Sequence, residues 1–209
     1  MLGTEQLTGF FVAAVLITLS PGPDNLMVLS LGVSRGRAQG VAFGLGCALG
    51  CLSHTTLAVL GVSALIAASA GAFLALKIAG GLYLIWLGIH TLRTYASHDL
   101  SKQPGEMNIT SLWSLFSKGL VANAVNPKVI LFFLAFLPQF VEVDAGHAWL
   151  QLLALGGLFV AIAMCSDALY ALAAGTAGEL LRRSPRFLGM QRWVSGSVFV
   201  GLGVVTALS

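Results

Sequence analysis

Apolar and polar positions along this chain fall into long blocks. Six stretches of mainly apolar residues stand at about 7–31, 40–62, 64–91, 119–141, 148–174 and 187–208. An α-helix needs about 20 apolar residues to cross the hydrocarbon core of a bilayer. The runs are continuous and do not alternate with a period of two, which is not the pattern of a transmembrane β-barrel. The pattern predicts an all-α integral membrane protein with six transmembrane helices. Connections are short, so residues 1–209 are expected to form a single membrane domain. The first stretch lacks the basic leader and cleavage pattern of a signal peptide, its only early charge being Glu5.

Composition points the same way. Hydrophobic residues make up 57% and charged residues 9%, with a mean hydropathy of +0.90. A soluble domain carries about a quarter charged residues, and so few charges cannot cover a water-facing surface.

The formal charge of +3 is less informative than its placement. With six alternating spans, one side receives Arg35, Arg37, Arg93, Lys102, Lys118, Arg182, Arg183, Arg186 and Arg192. The other receives Glu5, Glu142 and Asp144. Short loops rich in Lys and Arg stay in the cytoplasm, so both termini are expected to be non-cytoplasmic. Basic loops of this kind are topology signals that meet anionic membrane lipid, and they require no nucleic acid. The longest connection contains a polar linker at about 94–111. The cluster Leu112, Trp113, Leu115 and Phe116 behind it is either a short interfacial helix or the start of the fourth span.

Two of the six stretches are interrupted. Ser20-Pro21-Gly22-Pro23-Asp24-Asn25 breaks the first, and Asn123-Ala124-Val125-Asn126-Pro127-Lys128 breaks the fourth. Proline removes a backbone donor and clashes with the preceding turn. Backbone groups freed in hydrocarbon are tolerated only when buried in protein or lining a cavity. Placing Pro23 on Pro127, 104 residues on, also places Asp24 on Lys128. The third and sixth stretches match at an offset of 115 residues, Lys77 with Arg192, Gly81 with Gly196 and Gly88 with Gly203. These matches predict two three-helix repeats, about 1–93 and 112–209. An odd number of spans in each inserts them in opposite directions, the inverted-repeat plan of many secondary transporters.

Ionisable residues at membrane depth sharpen this expectation, because they are costly and kept mainly where they pair or serve a pathway. They are Asp24 and Lys128 in the breaks, His54 in the second stretch and Asp167 in the fifth. Asp24 and Lys128 are placed to pair across the pseudo-twofold, or to hold the ammonium and carboxylate of a small zwitterionic metabolite. His54 is either a proton shuttle or a neutral histidine bonded to a neighbouring helix. Asp167, near Ser166 and Tyr170, either binds a coupling proton or faces a cytoplasmic vestibule. Lys77 and Arg192 read as snorkelling anchors.

The motifs meet a known family at Ser20–Asn25 followed by Ser34-Arg35-Gly36-Arg37-Ala38-Gln39-Gly40. The match continues through Gly44–Gly61 with His54, and through Lys77-x-x-Gly80-x-x-Tyr83-Leu84-x-x-Leu87-Gly88. Its clearest element is Asn123-x-x-Asn126-Pro127-Lys128 running into Phe132–Phe140. Over nearly the whole chain the sequence resembles the lysine exporter (LysE) superfamily. It is most similar to the branch of threonine, homoserine and homoserine-lactone efflux proteins. That resemblance implies a proton-driven exporter of amino acids or close derivatives in the bacterial cytoplasmic (inner) membrane. Its motif residues here are Pro21, Gly22, Pro23, Asp24, Asn126, Pro127 and Lys128, with Asn25 and Asn123 beside them in the breaks.

Two other classes compete. A metal or small-ion exporter wants His, Cys and Asp at ligand spacing, whereas His54, His90, His98 and His147 are dispersed. A membrane thiol electron carrier would use Cys51 and Cys165, which needs the two brought together and an activated thiol. Cys47 and Cys51 otherwise read as small packing residues. An enzyme has no support, and neither does a cofactor: no glycine loop follows a strand. The 25 glycines fit close helix packing and leave grooves that suit a homodimer.

Overall fold

The computed structural model describes residues 2–20, 22–93, 111–142, 145–174 and 185–208, and its regular structure is entirely helical. The helices in chain order are α1 (Thr4–Leu19), α2 (Pro23–Arg35), α3 (Arg37–Ile66), α4 (Ala70–Arg93), α5 (Leu112–Ala124), α6 (Pro127–Phe140), α7 (Ala148–Ala173) and α8 (Pro185–Leu208). Helices α3, α4 and α7 are each long and apolar enough to cross a bilayer. Helices α1 and α2 meet that test as a pair bent by 51°, and α5 and α6 as a pair bent by 49°. Helix α8 has 24 residues, enough for about 36 Å, and its described apolar part is Arg192–Ala207. The chain is an all-α, multi-pass membrane protein. The order bent helix, helix, helix occurs twice.

Both bends fall on the proline motifs and are built alike. Pro23 is the first residue of α2, where its missing N–H is not needed. Asn25 Oδ1 accepts from the Gly22 backbone N–H at 3.1 Å. Pro127 likewise opens α6, and the Asn126 side chain accepts from the Lys128 N–H at 3.0 Å. Each second half-helix thus begins with a proline and an amide side chain that satisfies a freed donor.

Two details depart from what hydropathy suggests. The stretches drawn at 40–62 and 64–91 are not divided at residue 63: α3 runs on through a π turn at Ala58–Val62, and the chain turns at Ser69. An apolar run looks the same across such a turn, so the pattern misplaces the boundary. The Leu112–Phe116 cluster is the start of α5, continuous to Ala124 and capped by Ser111 Oγ, and not a separate interfacial helix. Pro21, the stretch 94–110 with Lys102 and His98, and Asp144, Arg182 and Arg183 lie outside the described residues.

Glycines set how closely the helices approach. A Cβ on Gly88 would lie 2.7 Å from the Gly196 carbonyl, and one on Gly81 2.9 Å from the Gly203 carbonyl. Numbers rise along α4 as they fall along α8, so the two helices are antiparallel. At the offset of 115 residues the contacts are also reciprocal: Gly81 meets the counterpart of Gly88, and Gly88 the counterpart of Gly81. Antiparallel helices packed through glycines seven residues apart produce this relation. Gly46 and Gly50 on α3 give the same backbone approach to α5, and Gly119 returns it against Phe43. Without a hydrophobic driving force between helices in lipid, such contact is what holds them together.

The interior is aromatic at its centre, where the Phe132 and Phe159 rings lie 4.8 Å apart and Phe10, Phe133 and Phe136 are buried around them. The outside is apolar too, with Leu60 at 69%, Trp86 at 54% and Leu169 at 59% exposure. That is the surface of a protein solvated by lipid.

Candidate functional site

The first break frees carbonyls at Thr18, Leu19 and Ser20, and each finds a side chain from elsewhere. Thr18 O accepts from Asn25 Nδ2 at 3.2 Å and from Ser166 Oγ at 3.0 Å. Leu19 O accepts from the Tyr170 hydroxyl at 2.9 Å, and Ser20 O from Lys128 Nζ at 2.6 Å. Ser166 and Tyr170 stand one turn apart on α7, so one face of that helix closes the break. A charged donor on a backbone carbonyl is among the stronger hydrogen bonds.

The second break mirrors this arrangement. Asn126 donates Nδ2 to Asp24 Oδ2 at 2.7 Å, and Asn123 donates to the same oxygen at 3.3 Å. The Asn123 carbonyl, at the end of α5, accepts from the Asn126 N–H at 2.9 Å and also pairs with His54 Nε2 at 3.1 Å. Cys51 Sγ donates to Asn123 Oδ1 at 3.4 Å.

Asp24 and Lys128 therefore do not form the direct ion pair that their matching positions suggest. Each reaches the polar groups of the opposite break: Asp24 takes the amides of Asn123 and Asn126, and Lys128 takes the Ser20 carbonyl. Gly22 lies beside this bond, where a Cβ would be in ordinary contact with Lys128 Nζ at 3.4 Å. The Lys128 ammonium also lies 5.7 Å from the centre of the Phe199 ring on α8, within reach of a cation–π attraction.

Between the breaks lies a cavity of about 40 Å³, room for roughly three waters. Asp24, Asn25, Asn123, Asn126, Lys128 and Asp167 line its polar side. Ile17, Val129, Phe159 and Ala163 line its apolar side. Gly22 is also on its wall. Pro23 and Pro127 are exposed first residues of their helices, shaping the breaks without facing the cavity. His54 is buried at 4% exposure against Phe133 and stands behind the Asn123 carbonyl instead of on the wall.

Three residues of the site carry less signal in the sequence than they carry weight in the structure. Cys47 and Cys51, one turn apart on α3, face the cavity in addition to packing. Thr18 lies on its wall too, ahead of the proline motif. Cys165 is exposed on α7 while Cys51 is buried at the cavity, and all three cysteines are free. That placement removes the pairing a thiol electron carrier would use. Among the described residues no group of three or more His, Cys, Asp and Glu is placed to hold a metal ion, so the small-ion reading gains no support.

Comparison with known proteins extends this picture. An uncharacterised membrane protein of Vibrio cholerae is 33% identical over 205 residues, 95% of this chain and 94% of its own length. One from Synechocystis is 29% identical over 216 residues, covering 100% of this chain and 98% of its own length. The leucine efflux protein of Salmonella typhimurium is 27% identical over 192 residues, 92% of this chain and 90% of its own length. No solved structure matches the chain. The LysE type translocator pattern matches residues 15–209, taking in both breaks and every helix that closes the cavity. The chain belongs to the LysE type translocator family.

Proposed function

We propose that this protein exports amino acids or close derivatives from the cell and binds them in the cavity between the two breaks. One observation carries the reading: two carboxylates, Asp24 and Asp167, and one ammonium, Lys128, stand on the wall of the same small cavity. A zwitterion presents the complementary pair of charges. The half-helix starts at Pro23 and Pro127 add positive dipole ends of the kind that favour a substrate carboxylate. Ile17, Val129 and Phe159 supply a surface for a neutral side chain. The likeness to leucine efflux proteins supports an amino-acid cargo. Threonine, homoserine and homoserine lactone belong on the list through the branch that the motifs resemble.

The drive is an inward proton gradient. Two carboxylates against one lysine leave one negative charge, which a proton can neutralise. The protein sits in the bacterial inner membrane with its basic loops inside and both termini outside, its two halves oppositely inserted as one transport domain.

Efflux from cells with and without the protein, across a panel of amino acids and derivatives, tests this function. Faster release of leucine, threonine or a close relative is the expected result. Unchanged efflux for every compound defeats it.

A further inference from the structure

The ionisable groups of the cavity are not equivalent. Asp24 is held by two side-chain amides, and Lys128 by a backbone carbonyl. Asp167 is exposed at only 8% and stands on the cavity wall. Among the described residues it has no hydrogen-bond or ion-pair partner. Its stem is fixed from behind, since a Cβ on Gly44 of α3 would lie 2.9 Å from Asp167 Cβ.

The groups around Asp167 are already engaged or uncharged. Ser166 and Tyr170, its neighbours on α7, are spent on the carbonyls of the first break. Cys47 and Cys51 face it from α3, Cys51 bonded to Asn123. Asp24 and Lys128 face it from the two breaks. Asp167 is therefore the carboxylate that can change its partner without breaking a bond of the fold. A carboxylate at this depth requires a cation or a hydrogen-bond donor. With the Lys128 ammonium held on the Ser20 carbonyl, the two left in an amino-acid exporter are a proton and the substrate's ammonium group.

We infer that Asp167 is the exchange carboxylate of this site, holding the substrate ammonium in one limb of the cycle and a proton in the other. The inference rests on the export reading above. On the outer side the ammonium leaves the carboxylate and a proton from the medium forms an O–H bond there. On the inner side that proton passes to water and a new ammonium takes its place. Each cycle moves one zwitterion out and one proton in, so one positive charge enters the cell. Because the two ligands compete for one group, coupling needs no separate proton site.

The test uses purified protein with leucine as probe, read by labelled-leucine transport in proteoliposomes and by infrared spectroscopy of the carboxyl region. In the wild type, leucine affinity falls by up to about tenfold per pH unit where the carboxylate takes its proton. The infrared band of that protonated carboxyl disappears when leucine is added. Asp167→Asn lacks the band, binds leucine at least about tenfold more weakly with no pH dependence, and does not respond to a pH gradient. Asp167→Glu recovers gradient-driven transport, which separates exchange from a merely structural role. The inference is overturned if Asp167→Asn keeps gradient-driven transport, or if the band persists with leucine bound. A wild type that moves no amino acid overturns the export reading and the ammonium half of this inference, and the infrared titration then decides the proton half alone.

Discussion

Asn126 donates its side-chain amide to the Asp24 carboxylate at 2.7 Å, joining two helix breaks that are 102 residues apart in the chain. The same side chain caps α6 through its oxygen, so one amide ties the breaks together and starts a helix. Asn126→Ala loses both bonds, at a cost of about 2 kcal/mol from the cap and the unmatched carboxylate together. A clear drop in the melting temperature of the detergent-purified protein is expected. Asn126→Asp keeps the cap and sets two carboxylates against each other. Adding Asp24→Asn to it restores a donor–acceptor pair, and the double variant should melt above the Asn126→Asp single variant.

Gly201 and Gly203 lie two residues apart on α8 and should respond oppositely to one added methyl. A Cβ on Gly203 would lie 2.6 Å from the Gly81 carbonyl, whereas one on Gly201 meets nothing within 4 Å. Gly203→Ala should therefore destabilise by about 1–3 kcal/mol, as overpacking does. Gly201→Ala should be neutral or slightly stabilising. Thermal melts of the two variants side by side decide whether backbone contact holds α4 to α8.

His54 bonds the Asn123 carbonyl and does not line the cavity. Its work is to add a second bond to a carbonyl that also takes the Asn126 N–H at the second break. Glutamine keeps a donor at that depth, so His54→Gln should export within about threefold of the wild type and keep its response to a pH gradient. Loss of that response with stability intact would restore the proton-shuttle role.

A variant with serine at positions 47, 51 and 165 should still export. Cys47 and Cys51 touch the cavity but hold no charge there, and Cys165 points outward. Export that requires a thiol would return the electron-carrier class to contention.

Much of this was legible in the sequence because proline and charge are loud signals in an apolar chain. Pro23 and Pro127 mark both breaks, and the Gly81/Gly196 and Gly88/Gly203 matches turn up as the reciprocal contacts of α4 and α8. The partnership at the centre was not legible. Matching positions for Asp24 and Lys128 suggest an ion pair, yet short amides lie between the breaks and reach the carboxylate first. Thr18 gave no warning, and Cys47 and Cys51 read as packing instead of cavity wall, because small residues in an apolar run look alike. The π turn in α3 was hidden for a related reason: hydropathy records what a residue is and not how its backbone is wound.

The measurement that tests the central claim most directly is counterflow of labelled leucine into proteoliposomes preloaded with unlabelled leucine, with Lys128→Met beside the wild type. The Lys128 ammonium is the cavity's cationic group, and methionine keeps its length without its charge. Transient accumulation of label by the wild type, and less than about a tenth of it by the variant, is the predicted result. Equal counterflow in both proteins, or none above protein-free liposomes with leucine and with threonine alike, would contradict an amino-acid pathway through this cavity.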